Sequence, residues 1–458
     1  MLFNSLSYLL LLALSRLFVL VPRHGASLLL ISSVIFYCFC GLYDSLIFLT
    51  SVAVNWLIAR GIVNIRWRIA LAVIGNVGLL VFFKYAEFLG ARDAGSQAVS
   101  YITAGIPVGI SFYTFHILSY QIDVARGLAA PARSFRSFAL FVSFFPHLIA
   151  GPIVRAHQLL PQLERLFDGN RRKLYLVSYG FSLFALGLFK KVVLADGIAP
   201  YVDDIFHFGP ENAYWAWMGA ILFTFQIYFD FSGYSDMAIG SAYLLGIKLP
   251  VNFKTPYLSR GPQEFWNRWH ITLSHWIRDY LYIPLGGNRG NVLRNAGVVV
   301  LTMAVAGLWH GANYTFVAWG ALWGAYIYLA RLAGRTMQLP VWLSWPVHML
   351  IVISLWVLFR AADMDSAYEY LAVMWGGATG HQSNSLFYDE MGMGPVLGAF
   401  CLLLMVLHYV ESKIHTAAML HRLRRVNIPF VCGVLIAVIV GLVLVQSTAA
   451  NPFIYFRF

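Results

Sequence analysis

Charge is what this sequence lacks. Only 11% of its 458 residues are Asp, Glu, Lys or Arg, less than half the roughly 25% of an ordinary soluble domain. Hydrophobic residues make up 60% and the mean hydropathy is +0.69, which excludes water as the main solvent. Cysteine is scarce too: Cys38, Cys40, Cys401 and Cys432 all lie in apolar runs. None has the spacing of a zinc site or a redox pair, so they read as small packed hydrophobes. There is no Gly-x-Ser-x-Gly elbow, no Gly-x-x-x-x-Gly-Lys loop and no His-Glu-x-x-His pair. A serine hydrolase, a nucleotide-driven pump and a zinc protease thereby lose support. No Gly/Ser or Pro-rich linker, low-complexity tract or fixed repeat divides the chain. A single membrane domain over 1–458 is the economical organisation.

What is there is a succession of apolar stretches from Leu6 to Val445. A spanning helix takes about 20 such residues, so about eleven to thirteen crossings are expected, in an all-α polytopic chain. The first stretch, Leu6 to Val21, carries Arg16 inside it and no basic residue ahead of it, and it reads as a retained span rather than a cleaved signal. The net charge of +12 does not point to nucleic acid, because the basic residues sit in short loops, where they fix membrane orientation. These are Arg60, Arg66 and Arg68; Arg165, Arg171, Arg172 and Lys173; Lys254 to Arg294; and Arg422, Arg424 and Arg425. They are placed on the cytoplasmic side. The loops at Asp203 and Asp204 and at Gly376 to Glu390 fall on the other side, which puts the N-terminus outside.

Two stretches break the pattern. Phe138 to Ile153 contains Pro146, His147, Gly151 and Pro152 and fits a re-entrant segment, since irregular backbone at membrane depth is tolerated only where protein or a cavity surrounds it. Lys248 to Asn291 mixes polar and aromatic residues. Its centre, Glu264 to Tyr280, lacks Pro and Gly and places Trp266, Trp269, Leu273, Trp276 and Tyr280 on one helical stripe. That pattern predicts an interfacial helix, ended by Pro284, Gly286 and Gly287.

Ionisable groups among apolar runs are functional candidates by default. His310 stands in Gly307-Leu308-Trp309-His310-Gly311-Ala312-Asn313, with glycines that permit close approach. A core histidine bonded to a neighbouring carbonyl is the competing reading. His270 borders the aromatic stripe, with Ser274 one turn on; packing explains it as well as function does. In Tyr228 to Asp236 two carboxylates end one apolar segment and begin another. Ser232, Ser235 and Asp236 there fit a helix cap. Asp230 fits an ion pair, with Arg268 or Arg278 as partner, or a group that orients a histidine. Glu264 and Arg268 are one turn apart and read as a pair. His116, His147, His275, His348 and His408 are scattered without metal-ligand spacing, so no metal is assigned.

Three segments together carry a family resemblance: Phe225 to Ala238, Phe265-Trp266 to Gly287, and Gly307 to Asn313. Pro107 to Phe115 and Phe359-Arg360-Ala361 agree with them. The chain resembles the membrane-bound O-acyltransferase family, in the bacterial branch that includes the membrane subunit of alginate O-acetylation. The resemblance implies tilted spans around a central channel. It makes His310 the essential catalytic histidine and His270 a second catalytic position. Supporting or substrate-binding roles are expected of Tyr228, Asp230, Asp236, Trp266, Arg268, Ser274, Asp279, Trp309 and Asn313. No bound cofactor is implied. The acyl donor would be a cytoplasmic thioester, acetyl-CoA or a carrier-protein thioester, drawn in by the basic loops. A polysaccharide would be the acceptor, a periplasmic acetyltransferase the partner, and the bacterial inner membrane the location.

Under that resemblance His310 acts as general base on the acceptor hydroxyl, Asp230 or a carbonyl fixes its tautomer, and Asn313, Tyr228 or His270 donates to the oxyanion. A covalent acyl-enzyme stays open. Teichoic acid D-alanylation and peptidoglycan O-acetylation are alternatives within the family. A polysaccharide transporter would also explain the broken helices, but not His310 in its motif, and the chain shows no paired halves.

Overall fold

The computed structural model describes residues 3–413 apart from 22, 62–63, 86–87, 89–105, 170–176, 335–339 and 378–392, together with 439 and 441. Arg171, Arg172, Lys173, Arg422, Arg424, Arg425, Cys432, most of the Gly376 to Glu390 loop and the last expected span therefore lie outside the described residues. Those that are described form helices and connections, with no strand among them. They cluster into two compact units, 3–188 with 234–251 and 189–233 with 252–413.

The first unit opens with α1 (Leu6–Val19), α2 (Gly25–Cys38), α3 (Leu42–Gly61) and α4 (Ile65–Tyr85). It continues through α5 (Ile110–Ala125), α6 (Phe135–Ser143), α7 (Phe145–Leu148), α8 (Ala156–Phe167) and α9 (Val177–Phe189). Some of the polar side chains buried between these helices bond to one another, which offsets the loss of water. Asn55 and Asn76 exchange amide bonds of 3.1 and 2.8 Å between α3 and α4. Tyr8 donates to Ser241 at 2.8 Å. The segment expected to be re-entrant is cut into pieces: Phe144 leaves helical geometry, α7 carries Pro146 in its first turn, and every residue from Ser137 to Val154 is buried.

In the second unit a π-helical turn, Lys190–Ala195, leads into α10 (Asp196–Phe208) and α11 (Ala213–Leu244), whose residues from Tyr234 on belong to the first unit. Then come α12 (Pro262–Trp266), α13 (Ile271–Ile277), a second π turn at Arg278–Tyr282, and α14 (Val292–His310). The described chain closes with α15 (Tyr314–Ala333), α16 (Val341–Arg360), α17 (Met364–Met374) and α18 (Met393–Lys413). Helices α14 and α15 lie against each other with almost no intervening side chain: a Cβ on Gly307 would fall 2.0 Å from the Phe316 carbonyl oxygen, and one on Gly320 2.1 Å from that of Met303.

Among the described residues six helices are long and apolar enough to cross a membrane, namely α3, α4, α14, α15, α16 and residues 394–413 of α18. Large apolar side chains face outward on them, Leu57 at 66% and Ile74 at 69% exposure, where lipid takes the place of water. The chain is thus an all-α, multi-pass membrane protein. Of the eleven to thirteen crossings expected, the last lies outside the described residues, and others fall in described helices that lack that length or apolarity. Helices α1 and α2 are apolar but have only 14 residues each, and α11 is long but diluted by Gln226, Asp230, Ser232 and Ser235.

Three local expectations are corrected. Helix α11 runs unbroken through Asp230 to Asp236, so Ser232, Ser235 and Asp236 cap nothing; no proline interrupts the helix, and both serines are buried along it. The stretch Glu264 to Tyr280 is not one helix. It breaks at His270, whose φ of +41° is left-handed. Cys38 is exposed at the end of α2 rather than packed, and it, Cys40 and Cys401 are free thiols.

Candidate active site

His310 is the last residue of α14, 6% exposed. The chain turns extended at Gly311, where a Cβ would meet the Phe316 ring at 2.2 Å, so the imidazole is held where two close-packed helices meet. Aromatic rings surround it: Trp309 at 4.8 Å between centroids, Phe359 at 5.1 Å and Trp319 at 5.4 Å. On its open side His310 lines a cavity of about 330 Å³, whose wall also includes Trp266, Ser274, Arg278, Thr302 and Trp319. A second cavity of about 760 Å³, walled by Asn288, Asn291, Asn295 and Tyr328, shares Gln263 and Arg331 with the first.

His270 lies behind this wall rather than in it. It is 1% exposed, with its ring 4.7 Å from Phe231 and 6.4 Å from Trp309. Neither ring nitrogen has a hydrogen-bond partner among the described residues. Burial pushes the imidazole down to about 3, so it is neutral near pH 7.

The other expected residues divide. Trp266 and Ser274 share the cavity with His310, and Trp309 separates its ring from that of His270. Asp279 pairs with Arg278 at 2.7 Å, and Arg268 with Glu264 at 2.7 Å. The Asp230 carboxylate pairs with Lys191, which also holds Asp196 at 2.9 Å. Tyr228 donates to Glu411 at 2.8 Å, and Lys190 pairs with the same carboxylate at 2.5 Å. Asn313 caps α15 through Thr315 N–H and donates to the Ala362 carbonyl at 2.6 Å. The bonds of Tyr228 thus run to α18 and those of Asn313 to Thr315 and Ala362. Asp236 belongs to the first unit.

Sequence reasoning missed Lys190 and Lys191, although two lysines between apolar runs were a visible signal. It also missed Gln263 and Arg331, whose place in both cavities depends on tertiary packing. The scattered histidines find separate surroundings. His348 bridges Ser259 at 3.0 Å and Tyr326 at 2.9 Å, and His408 accepts from Tyr257 N–H. His116 and His147 lie 4.3 Å apart in the first unit. Among the described residues no cluster of three or more His, Cys, Asp or Glu could hold a metal.

The sequence profile described as MBOAT, membrane-bound O-acyltransferase family, matches residues 112–359, which include both histidines, the cavity walls and the buried charge cluster except Glu411. The chain is 40% identical to a probable alginate O-acetylase of Azotobacter vinelandii over 374 residues, 77% of this chain and 73% of that protein. It is 37% identical to a peptidoglycan O-acetyltransferase of Helicobacter pylori, over 76% of this chain and 73% of that one. A teichoic acid D-alanyltransferase of Streptococcus thermophilus shares 30% identity over 47% of this chain and 55% of its own length. With His310 lining a cavity and these similarities running through it, the chain belongs to the membrane-bound O-acyltransferase family and is an acyltransferase.

Proposed function

We propose that this protein takes an acetyl group from a cytoplasmic thioester, acetyl-CoA in the first instance, and serves the O-acetylation of a bacterial exopolysaccharide from the inner membrane. The observation that carries the reading is His310 at the junction of α14 and α15, facing a cavity of about 330 Å³ whose wall includes Trp266, Tyr282 and Trp319. Similarity to alginate O-acetylases over three quarters of the chain favours acetyl as the group and polysaccharide as the acceptor.

In the reaction, neutral His310 accepts the proton of the acceptor hydroxyl as that oxygen attacks the thioester carbonyl carbon. The tetrahedral intermediate collapses with cleavage of the C–S bond. The departing thiolate takes the proton back from the imidazolium, giving an ester and a free thiol. Arg278 and Arg331, in the cavity walls, supply positive charge for the anionic part of the donor. A periplasmic partner completes delivery to the polysaccharide, since the described residues include no soluble acetyltransferase domain. His270 serves the same centre from behind Trp309.

Peptidoglycan is the second acceptor to consider, because the Helicobacter pylori relative covers as much of the chain. Membrane vesicles containing the protein, given acetyl-CoA labelled in the acetyl group, separate the readings. Label in polysaccharide supports the first and label in peptidoglycan the second. Label transferred only from an acylated carrier protein would replace the donor, and no transfer from any thioester would overturn the proposal.

A further inference from the structure

The conformation of His270 needs an explanation that its own side chain does not provide. Its φ of +41° and ψ of 52° are left-handed, and the side chain makes no capping bond to α13, which begins at the next residue. For a residue with a Cβ this conformation is strained, and it persists only where the surroundings over-determine it.

Those surroundings centre on Asn252, which is fully buried. Its carbonyl oxygen accepts from Ile271 N–H at 2.9 Å. Its side-chain oxygen accepts twice from Thr272, from the N–H at 3.2 Å and from the hydroxyl at 2.8 Å. Two residues on, Lys254 N–H donates to the Arg268 carbonyl at 2.9 Å. The segments 252–254 and 268–272 are thus stitched together on both sides of His270. Asn252 performs the cap that His270 does not, which leaves the imidazole free to turn inward against Phe231 and towards Trp309, the residue joined to His310.

We propose that Asn252 is the positioning residue for His270, acting through Thr272 to hold the left-handed corner. The inference rests on the reading that His270 serves acyl transfer. A corner displaced by about 1 Å is expected to lower kcat/KM on the order of 10- to 100-fold, the usual cost of misplacement at that scale.

The test is a set of double-mutant cycles on the purified full chain, with thioester turnover normalised to folded protein by thermal unfolding. Asn252→Ala should lower kcat/KM as stated, and Thr272→Val, which removes one of the two bonds to the side-chain oxygen, should lower it less. In a His270→Ala background both should change turnover by less than about twofold, because coupled residues are non-additive. An Asn252→Ala loss of equal size in both backgrounds overturns the proposal by showing that Asn252 acts independently of His270. So does full activity of Asn252→Ala where His270→Ala is impaired. Full activity of His270→Ala removes the underlying reading and the proposal with it. Should Asn252→Ala not fold, Thr272→Val carries the same comparison.

Discussion

Replacing Gly307 with alanine adds one methyl group where two helices touch through their backbones. Its Cβ would sit 2.0 Å from the Phe316 carbonyl oxygen and 3.1 Å from Gly320 N. Ordinary contact of such atoms begins near 3.4 Å, so α14 and α15 must part by roughly 1.4 Å at this point. Overpacking of this kind typically costs about 1–3 kcal/mol. The displaced point lies one turn before His310, and a shift of about 1 Å in a catalytic group costs on the order of 100-fold in rate, or about 2.7 kcal/mol of barrier. Gly297 lies on the same helix with nothing within 4 Å of its Cβ position. Gly297→Ala should therefore be neutral or slightly stabilising, by up to about 1 kcal/mol. Thermal unfolding in nanodiscs with thioester turnover on the same samples compares the two. Equal stability and activity of both variants would refute the claim that His310 is placed by backbone contact between α14 and α15.

Lys191→Met should destabilise the protein by about 3–5 kcal/mol, because it leaves Asp196 and Asp230 facing each other without their shared ammonium. Adding Asp230→Asn should recover part of that loss, read as a rise in unfolding temperature over the single variant. His270 has a folded pKa below its unfolded value near 6.5, so the unfolded chain binds the extra proton first. Its contribution to stability is then constant above about pH 6.5 and is lost as pH falls towards about 3; in His270→Asn the acid limb of the stability profile should be shallower, as chemical denaturation at stepped pH would show. Trp319→Leu removes ring volume beside His310 and should raise turnover of a butyryl thioester relative to acetyl; an unchanged ratio in a thioester series would mean that Trp319 does not limit the acyl group.

Much of this was legible in the sequence, and what was not has recognisable causes. Apolar length alone indicated a helical chain crossing the membrane many times, because lipid permits little else than a closed helical backbone. His310 was visible as a histidine flanked by glycines between two apolar runs, and the family motif, not its spacing, set it above the reading as a core histidine. The break at His270 was invisible: nothing from Glu264 to Tyr280 is a helix breaker, and the corner is imposed by Asn252, distant in sequence. The partner of Asp230 was equally hidden. Sequence proximity favoured Arg268 and Arg278, whereas these bond to Glu264 and Asp279 beside them and Lys191 reaches Asp230 from the π turn. Tyr228 and Asn313 carried the right chemistry for an oxyanion donor, but only tertiary structure shows that Glu411 and Ala362 engage them.

The central claim is that His310 performs acyl transfer, and thioester consumption by the purified chain tests it most directly. With labelled acetyl-CoA in nanodiscs, His310→Ala should unfold at a temperature close to that of the natural protein and yet lose turnover by the factor of about 100 to 10,000 expected when a general base is removed. A folded His310→Ala that consumes the thioester at the natural rate would make His310 a structural residue and contradict the account.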